Sequence, residues 1–410
     1  MKKATIISAF LGTLIEVYDF TVFPFLIPVL SEVFFSSQTK NSAINFTILA
    51  YVVSYIVKPF GAIGFGYLID HFGRKKVLLF TTLLMTLATS AIGILPAHLM
   101  GIYLGAGLVA CRIIQGLSIS GEFSSAIIMA VEHGNKYPAF SGCLAFVGGS
   151  VGLLLANLSI FILLYVIPHD QIIQYAWRIP FLIGTFGCLI LLFIRNRIDD
   201  AAPDLGSESS SFYELLGYKN QLIETFIISS LSASAFYITF IFMPTYLSTL
   251  LNLHSHQQSI LITLIALLVY VIVLPFGGLL ADKIGVKRQI KIASIFYLLF
   301  SYIVFASIPK LTSDGCMLVL ILFAIIQAIL NSALPAFIVA QFKPNQRGKA
   351  LAISYNISLT LFAGLMPLIL ISSVNQLNPG IPISICAGLS VFVIHLKGNK
   401  YGYLRSQPGY

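Results

Sequence analysis

An all-α membrane protein, with twelve transmembrane helices in two six-helix pseudo-symmetric bundles, is the fold class this sequence predicts. Three observations predict it. The 410 residues are 58% hydrophobic and only 10% charged, with a mean hydropathy of +0.93, whereas a soluble domain carries about 25% charged residues. The apolar residues fall into twelve runs, each long enough to cross a bilayer, which takes roughly 20 residues. Lys and Arg are concentrated in alternate loops between those runs.

The runs lie near 4–30, 44–69, 77–96, 100–131, 139–167 and 176–195 in the first half. In the second half they lie near 221–251, 257–281, 290–309, 315–342, 349–374 and 379–397. Twelve spans use about 240 residues and leave about 170 for loops, too few for a sizeable soluble domain. Met1-Lys2-Lys3 before an apolar stretch resembles a signal peptide, but Glu16 and Asp19 interrupt the stretch and no A-x-A-like cleavage site follows. A retained first helix is therefore expected. Residues 196–220 hold Asp199, Asp200, Asp204, Glu208 and a serine cluster, and read as a solvated linker. The expected organisation is a bundle over 1–195, the linker 196–220, and a bundle over 221–410 with a short tail.

Of the 24 Lys and Arg residues, 19 fall in loops on the side of the N-terminus, Arg195 and Arg197 among them. The opposite loops hold Lys40, Arg178 and Lys310, while Lys58 and Arg112 fall within spans. This asymmetry predicts cytoplasmic termini and a cytoplasmic linker. The net charge of +9 does not point to nucleic acid, because the basic residues occur in small groups between apolar runs and form no nucleic-acid module. Cys111, Cys143, Cys188, Cys316 and Cys386 all fall in apolar segments. They read as buried small hydrophobes, not as disulfide or metal ligands.

A local motif repeats across the halves. Gly66-x-x-x-Asp70-x-x-Gly73-Arg74-Lys75-Lys76 follows the second span, and Gly278-x-x-x-Asp282-x-x-Gly285-Val-Lys287-Arg288 follows the eighth. Gly66 lets helix backbones approach, and Gly73 supplies a tight turn. Asp70 can accept hydrogen bonds from a neighbouring helix N-terminus, where the dipole favours an anion. Two repeats of like orientation imply a pseudo-two-fold axis along the membrane normal and a site at the repeat interface.

Ionisable groups within spans are costly and mark functional sites. Glu16 and Asp19, three apart, share a face of the first span. Gln115, Ser118 and Glu122 would fall within a narrow arc of a continuous fourth helix. Arg112 would lie about 15 Å from Glu122 along that helix and roughly 80° round it. Lys58 precedes Pro59 in the second span. Structural ion pairing is the plain alternative for all five charges, and Glu16 is near enough to a helix end to snorkel. Tyr18, Tyr237 and Tyr246 could stack on a cationic substrate, with ordinary packing as the alternative. Trp177 reads as an interface anchor or packing residue. His98, His169, His254 and His256 read as solvated residues of the external side, poor as metal ligands.

The repeated loop motif resembles the hallmark of the major facilitator superfamily. Ile15-Glu16-Val-Tyr18-Asp19-Phe20, Lys58-Pro59-Phe-Gly61, Arg112-Ile-Ile-Gln115-Gly116, Gly121-Glu122, Trp177-Arg178-Ile-Pro180-Phe181 and Met243-Pro244-Thr245-Tyr246-Leu247 narrow the resemblance to its metabolite:proton symporters. That group includes proline/betaine, α-ketoglutarate, citrate and shikimate transporters. The resemblance implies alternating access and proton-driven uptake of a small polar metabolite across a bacterial inner membrane. It further implies a monomer as the working unit and the proton gradient as the only energy source, with no cofactor. It assigns Glu16, Asp19, Lys58, Arg112, Gln115 and Glu122 to substrate binding and proton coupling around one central cavity. Gly66, Asp70, Gly73, Arg74, Glu132, Asp282 and Gly285 would gate it, with Glu132 pairing with the Gly-Arg loop. A carboxylate near a cation suits coupling, since burial favours its neutral form and the cation its charged form.

Departures from the pattern are His71 for a usual Arg or Lys, Lys58 for a usual Arg, Ser124-Ser125 for a Gly pair, and Val286 for the second repeat's Arg. The last suggests weaker gating by the second loop. An uncoupled facilitator or antiporter, and a transport-inactive sensor, remain as alternatives. A hydrolase does not, because Gly116-x-Ser118-x-Ser120 lacks the final Gly of a nucleophile elbow and a histidine partner.

Overall fold

The computed structural model describes residues 2–35, 38–72, 74–96, 102–120, 122–132, 134, 136–197, 215, 217–372 and 378–396. Among them the secondary structure is entirely helical. Twelve membrane-crossing units are present. They are α1 (Lys2–Phe25, continued by Ile27–Phe34), α2 (Lys40–Ile56, continued by Lys58–Phe72), α3 (Arg74–Ile94) and α4 (Ile102–Ser118, continued by Glu122–Glu132). Next come α5 (Pro138–Val166), α6 (Ile179–Arg197), α7 (Lys219–Leu250) and α8 (His256–Ile284). The last four are α9 (Val286–Ser307), α10 (Ser313–Ala340), α11 (Arg347–Leu370) and α12 (Gly380–Leu396). Nine of them are single helices long and apolar enough to cross a membrane, the bent α1 pair makes a tenth, and the shorter apolar helices of α4 and α12 complete the set. Large apolar side chains such as Phe60, Phe186, Phe193, Phe276 and Phe392 stay exposed on the outside, as a lipid-facing surface requires.

Helix packing carries the pseudo-symmetry. The pairs α1–α5, α1–α6, α2–α4, α3–α4 and α3–α6 each have a counterpart six helices later: α7–α11, α7–α12, α8–α10, α9–α10 and α9–α12. The halves meet along α5–α8 and α2–α11, which exchange under the same rule. Below, the side on which α1 begins is called proximal and the other distal.

Three predicted spans are interrupted, the second only at Val57, across which it still runs as one apolar span, Ser42–Phe65. The first runs on to Phe34 with a 64° bend at Leu26, because Pro24 and Pro28 remove two of its helical donors. The fourth breaks after Ser118. There the Ser118 and Ser120 hydroxyls bond back to Ile114 O (2.8 Å) and Leu117 O (2.7 Å), a local competition that ends helices. Gln115, Ser118 and Glu122 therefore do not share one continuous helix face. Next to the break, a Cβ at Gly116 would overlap the Ser54 carbonyl, so glycine is what lets α4 lie against α2.

Prolines also set tertiary contacts. A proline at position i leaves the carbonyl of i−4 without its helical partner. Pro24, Pro59 and Pro367 stand four residues after Phe20, Tyr55 and Ala363. Each of those carbonyls has a donor from another helix: Arg112 Nη1 for Phe20 (3.4 Å), the Thr360 hydroxyl for Tyr55 (2.8 Å), and the Tyr51 hydroxyl for Ala363 (3.2 Å). The last two join α2 to α11 reciprocally across the halves.

Several local readings can now be placed. All five cysteines are buried and unpaired. Trp177 is fully buried as a packing residue against Phe34 and Phe181. Arg195, expected in a solvated loop, is instead buried near the end of α6. Most of 196–220 lies outside the described residues, as does His98.

Candidate functional site

A cavity of about 100 Å³ lies between the halves. The first half contributes Glu16, Phe20, Lys58, Ser120, Phe123 and Ser124; the second contributes Ser232, Phe236, Tyr237, Tyr270, Asn331 and Tyr355. The two sides differ in chemistry. Both ionisable acid and base belong to the first half, whereas the second presents aromatic rings and neutral polar groups.

Lys58, placed where α2 resumes after Val57, points its ammonium over two rings. Nζ is 4.2 Å from the Phe20 centroid and 3.9 Å from the Tyr55 centroid. Among the described residues no carboxylate stands within ion-pair distance of it. Glu16 is buried, not snorkelling, with its Oε1 3.7 Å from Arg195 Nη1. Arg195 also donates to the Thr82 hydroxyl and to Leu78 O (3.4 Å) on α3. A buried pair of this kind is held by its additional hydrogen bonds as much as by its charges.

Asp19, Arg112 and Gln115 are fully buried and lie outside the cavity lining. They form one network instead. The Thr89 hydroxyl of α3 donates to Asp19 Oδ2. Gln115 Nε2 donates to Thr89 Oγ1 (2.7 Å), and Arg112 Nη1 donates to Gln115 Oε1 (2.8 Å). Arg112 Nη2 donates to Ser54 Oγ (3.0 Å). Its guanidinium carbon sits 4.6 Å from the Phe20 centroid and 4.4 Å from that of Phe23. Arg112 thus reaches Asp19 through two neutral side chains and does not sit among carboxylates. Glu122 opens the second segment of α4, but its side chain lies outside the described residues.

Opposite Lys58, Asn331 accepts from the Ser232 hydroxyl (2.6 Å) and donates to the Tyr270 hydroxyl (2.9 Å). Gln327 accepts from Tyr297 (2.6 Å) and donates to Ser232 O (3.0 Å). Tyr237 joins the lining, edge-on to Tyr55 at 5.7 Å. Tyr18 instead donates to Pro180 O (3.2 Å), and Tyr246 packs on Phe242.

Contacts between the halves are present on both sides of the molecule. Proximally, Asp282 accepts two backbone hydrogen bonds at the start of α5, from Ala139 N and Phe140 N, each at 2.9 Å. Gly285, with φ +96°, makes the turn that follows. Glu132 Oε1 is 2.6 Å from Arg347 Nη1 at the start of α11. The second loop, expected to be the weaker, therefore holds a helix N-terminus of the other half. Gly73 and the side chains of Asp70 and Arg74 lie outside the described residues, and Gly66 is placed only as part of α2. Distally, His256 is not merely solvated: Nε2 lies 3.1 Å from Phe25 O beside the α1 bend, and Nδ1 3.3 Å from the Ser248 hydroxyl. Within the first half, His169 pairs with Glu32 at 3.1 Å.

Arg195, Thr89 and Ser54 were missed in sequence. Two are hydroxyls among many, and the third mimics a topology signal at a helix end. No group of His, Cys, Asp and Glu among the described residues is arranged to hold a metal ion.

Residues 9–367 match the Major Facilitator Superfamily. A putative proline/betaine transporter of Staphylococcus aureus (strain COL) is 27% identical over 379 residues, covering 90% of this chain and 81% of that protein. The proline/betaine transporter of Escherichia coli (strain K12) is 27% identical over 390 residues, covering 90% and 76%. Among solved structures, the proton:xylose symporter XylE bound to 6-bromo-6-deoxy-D-glucose superposes with a TM-score of 0.81 at 16% identity, over 97% of this chain and 95% of that one.

Proposed function

Because this chain belongs to the Major Facilitator Superfamily, and is thus a multi-pass membrane transporter and not an enzyme, we propose that it performs proton-coupled uptake of a small polar metabolite. The substrate is a proline- or betaine-like zwitterion or an organic carboxylate, moved by alternating access at the interface of halves 1–195 and 221–410. The single observation that carries this reading is Lys58. It is an ammonium in the cavity between the halves, held over two rings with no carboxylate partner among the described residues. A cation–π contact contributes roughly 0.5–2 kcal/mol, while an effective burial penalty is several kcal/mol per ion. A substrate carboxylate is the counter-ion that makes up the difference. The names of the relatives support the zwitterion end of the range.

Uptake of radiolabelled proline, betaine, α-ketoglutarate and citrate into proteoliposomes tests the substrate reading. At least one should accumulate, and Lys58→Met should cut that uptake by about tenfold or more, the scale of one charge-assisted hydrogen bond. Equal uptake by Lys58→Met would remove Lys58 from the binding site.

Asp19, Thr89, Gln115 and Arg112 form the network through which we assign proton coupling, with Glu16 as the carboxylate facing the cavity. Asp282 and Glu132 act as proximal latches. By the repeat in sequence, the loop of Gly66, Asp70, Gly73 and Arg74 is the first-half counterpart of the Asp282 latch. The proximal side is cytoplasmic, as the Lys/Arg asymmetry requires, in the inner membrane of a bacterium, and one chain is the working unit. A cysteine at position 207 should then label only after the membrane is permeabilised. Labelling from outside intact cells would invert the orientation.

A further inference from the structure

Phe20 lies where the cavity ends and the closed network begins. Its ring lines the cavity and is 2% exposed. Two cations address it, Lys58 Nζ at 4.2 Å and the Arg112 guanidinium carbon at 4.6 Å from the centroid. Lys58 belongs to the cavity lining, whereas Arg112, Gln115 and Asp19 do not. Two like charges over one face of a ring would repel at short range, whereas opposite faces let both use the π cloud. The backbone fixes the ring in place. Pro24 frees the Phe20 carbonyl, Arg112 donates to it, and Tyr55 packs edge-on against the ring at 5.2 Å.

We infer that Phe20 is a septum: its ring separates the substrate cavity from the Asp19–Thr89–Gln115–Arg112 network, and its displacement is what brings that network into contact with the cavity. Phe20 is thereby a positioning residue, acting on the network through exclusion of water and substrate. The inference rests on the proposed transport cavity but not on proton coupling. A substrate that drew Lys58 off the ring would remove one of the two cations holding it, which links cavity occupancy to the network.

The test uses the full chain with its five native cysteines replaced by serine, carrying one reporter, Gln115→Cys in the network or Ser124→Cys in the cavity wall. A small cationic methanethiosulfonate is the probe, and proteoliposomes without added substrate are the sample. With Phe20 intact, the Gln115→Cys site should label about tenfold or more slowly than the Ser124→Cys site. Phe20→Ala, which removes the bulk between cavity and network, should raise the network rate about tenfold, and Phe20→Leu, which keeps most of that bulk, should leave it slow. If Phe20→Ala does not fold, the milder Phe20→Val decides, with the same rise expected. Equal labelling of both sites with Phe20 intact would overturn the septum. So would a slow network site in whichever of Phe20→Ala and Phe20→Val folds. Proton flux is measured separately, so a failure of coupling and a failure of the septum give different results.

Discussion

Arg112→Gln is expected to abolish transport while leaving membrane insertion intact. The guanidinium supplies the donors for Gln115 Oε1, Ser54 Oγ and the proline-freed Phe20 carbonyl, all in a fully buried setting. A shorter amide cannot reach all three. Each buried acceptor left without a donor costs about 1–3 kcal/mol, so two or three of them lower transport by about 100-fold or more. Arg112→Lys keeps the charge but loses the planar fork, and should fall between Gln and wild type. Initial uptake rates normalised to the amount of protein in the membrane provide the measurement. Wild-type rates in both variants would reduce Arg112 to a packing charge.

Asp282→Asn is expected to shift the conformational balance toward the proximally open state. The carboxylate accepts from Ala139 N and Phe140 N, one through each oxygen, where the start of α5 carries the positive end of a helix dipole. An amide can accept only through its oxygen, and its NH₂ would face the second N–H donor. Hydrogen bonds to charged groups contribute about 1.5–3 kcal/mol each, enough to move a two-state equilibrium by about tenfold to a hundredfold. Spin labels at exposed positions on the proximal ends of α5 and α8 should report a longer distance population in the variant, and transport should fall with it. An unchanged distance distribution would make Asp282 a mere helix cap without gating force.

The twelve-helix architecture was legible because a bilayer accepts little else from apolar runs of this length, and because Lys and Arg fall so unevenly between loops. The repeat was legible in Asp282 and Gly285, and the structure gives it physical content: a carboxylate on a foreign helix start. The breaks in α1 and α4 were not legible as breaks. Pro24 and the Ser118–Gly121 stretch were visible, but not what satisfies their freed backbone groups: a tertiary donor, Arg112, in one case and local serine hydroxyls in the other. The charged residues announced themselves, yet their positions relative to the cavity did not. Three residues carry a helix about 60° short of a full turn and about 4.5 Å along its axis, enough for Glu16 to line the cavity while Asp19 lies outside its lining. Thr89 and Ser54 carry no charge and recur as residue types throughout the chain, so only packing singles them out. Arg195 was hidden for the opposite reason: at a helix end, a buried arginine and a topology-setting arginine look alike.

The central claim is that substrate and proton move together through the Lys58 cavity. The most direct measurement records luminal pH in proteoliposomes, by a trapped fluorescent dye, as proline, betaine, α-ketoglutarate or citrate is added outside. At least one compound should drive luminal acidification in step with its own uptake, and a protonophore should abolish its accumulation. Lys58→Met should remove both signals. Accumulation that persists undiminished with the protonophore present, and without any luminal pH change, would contradict the claim.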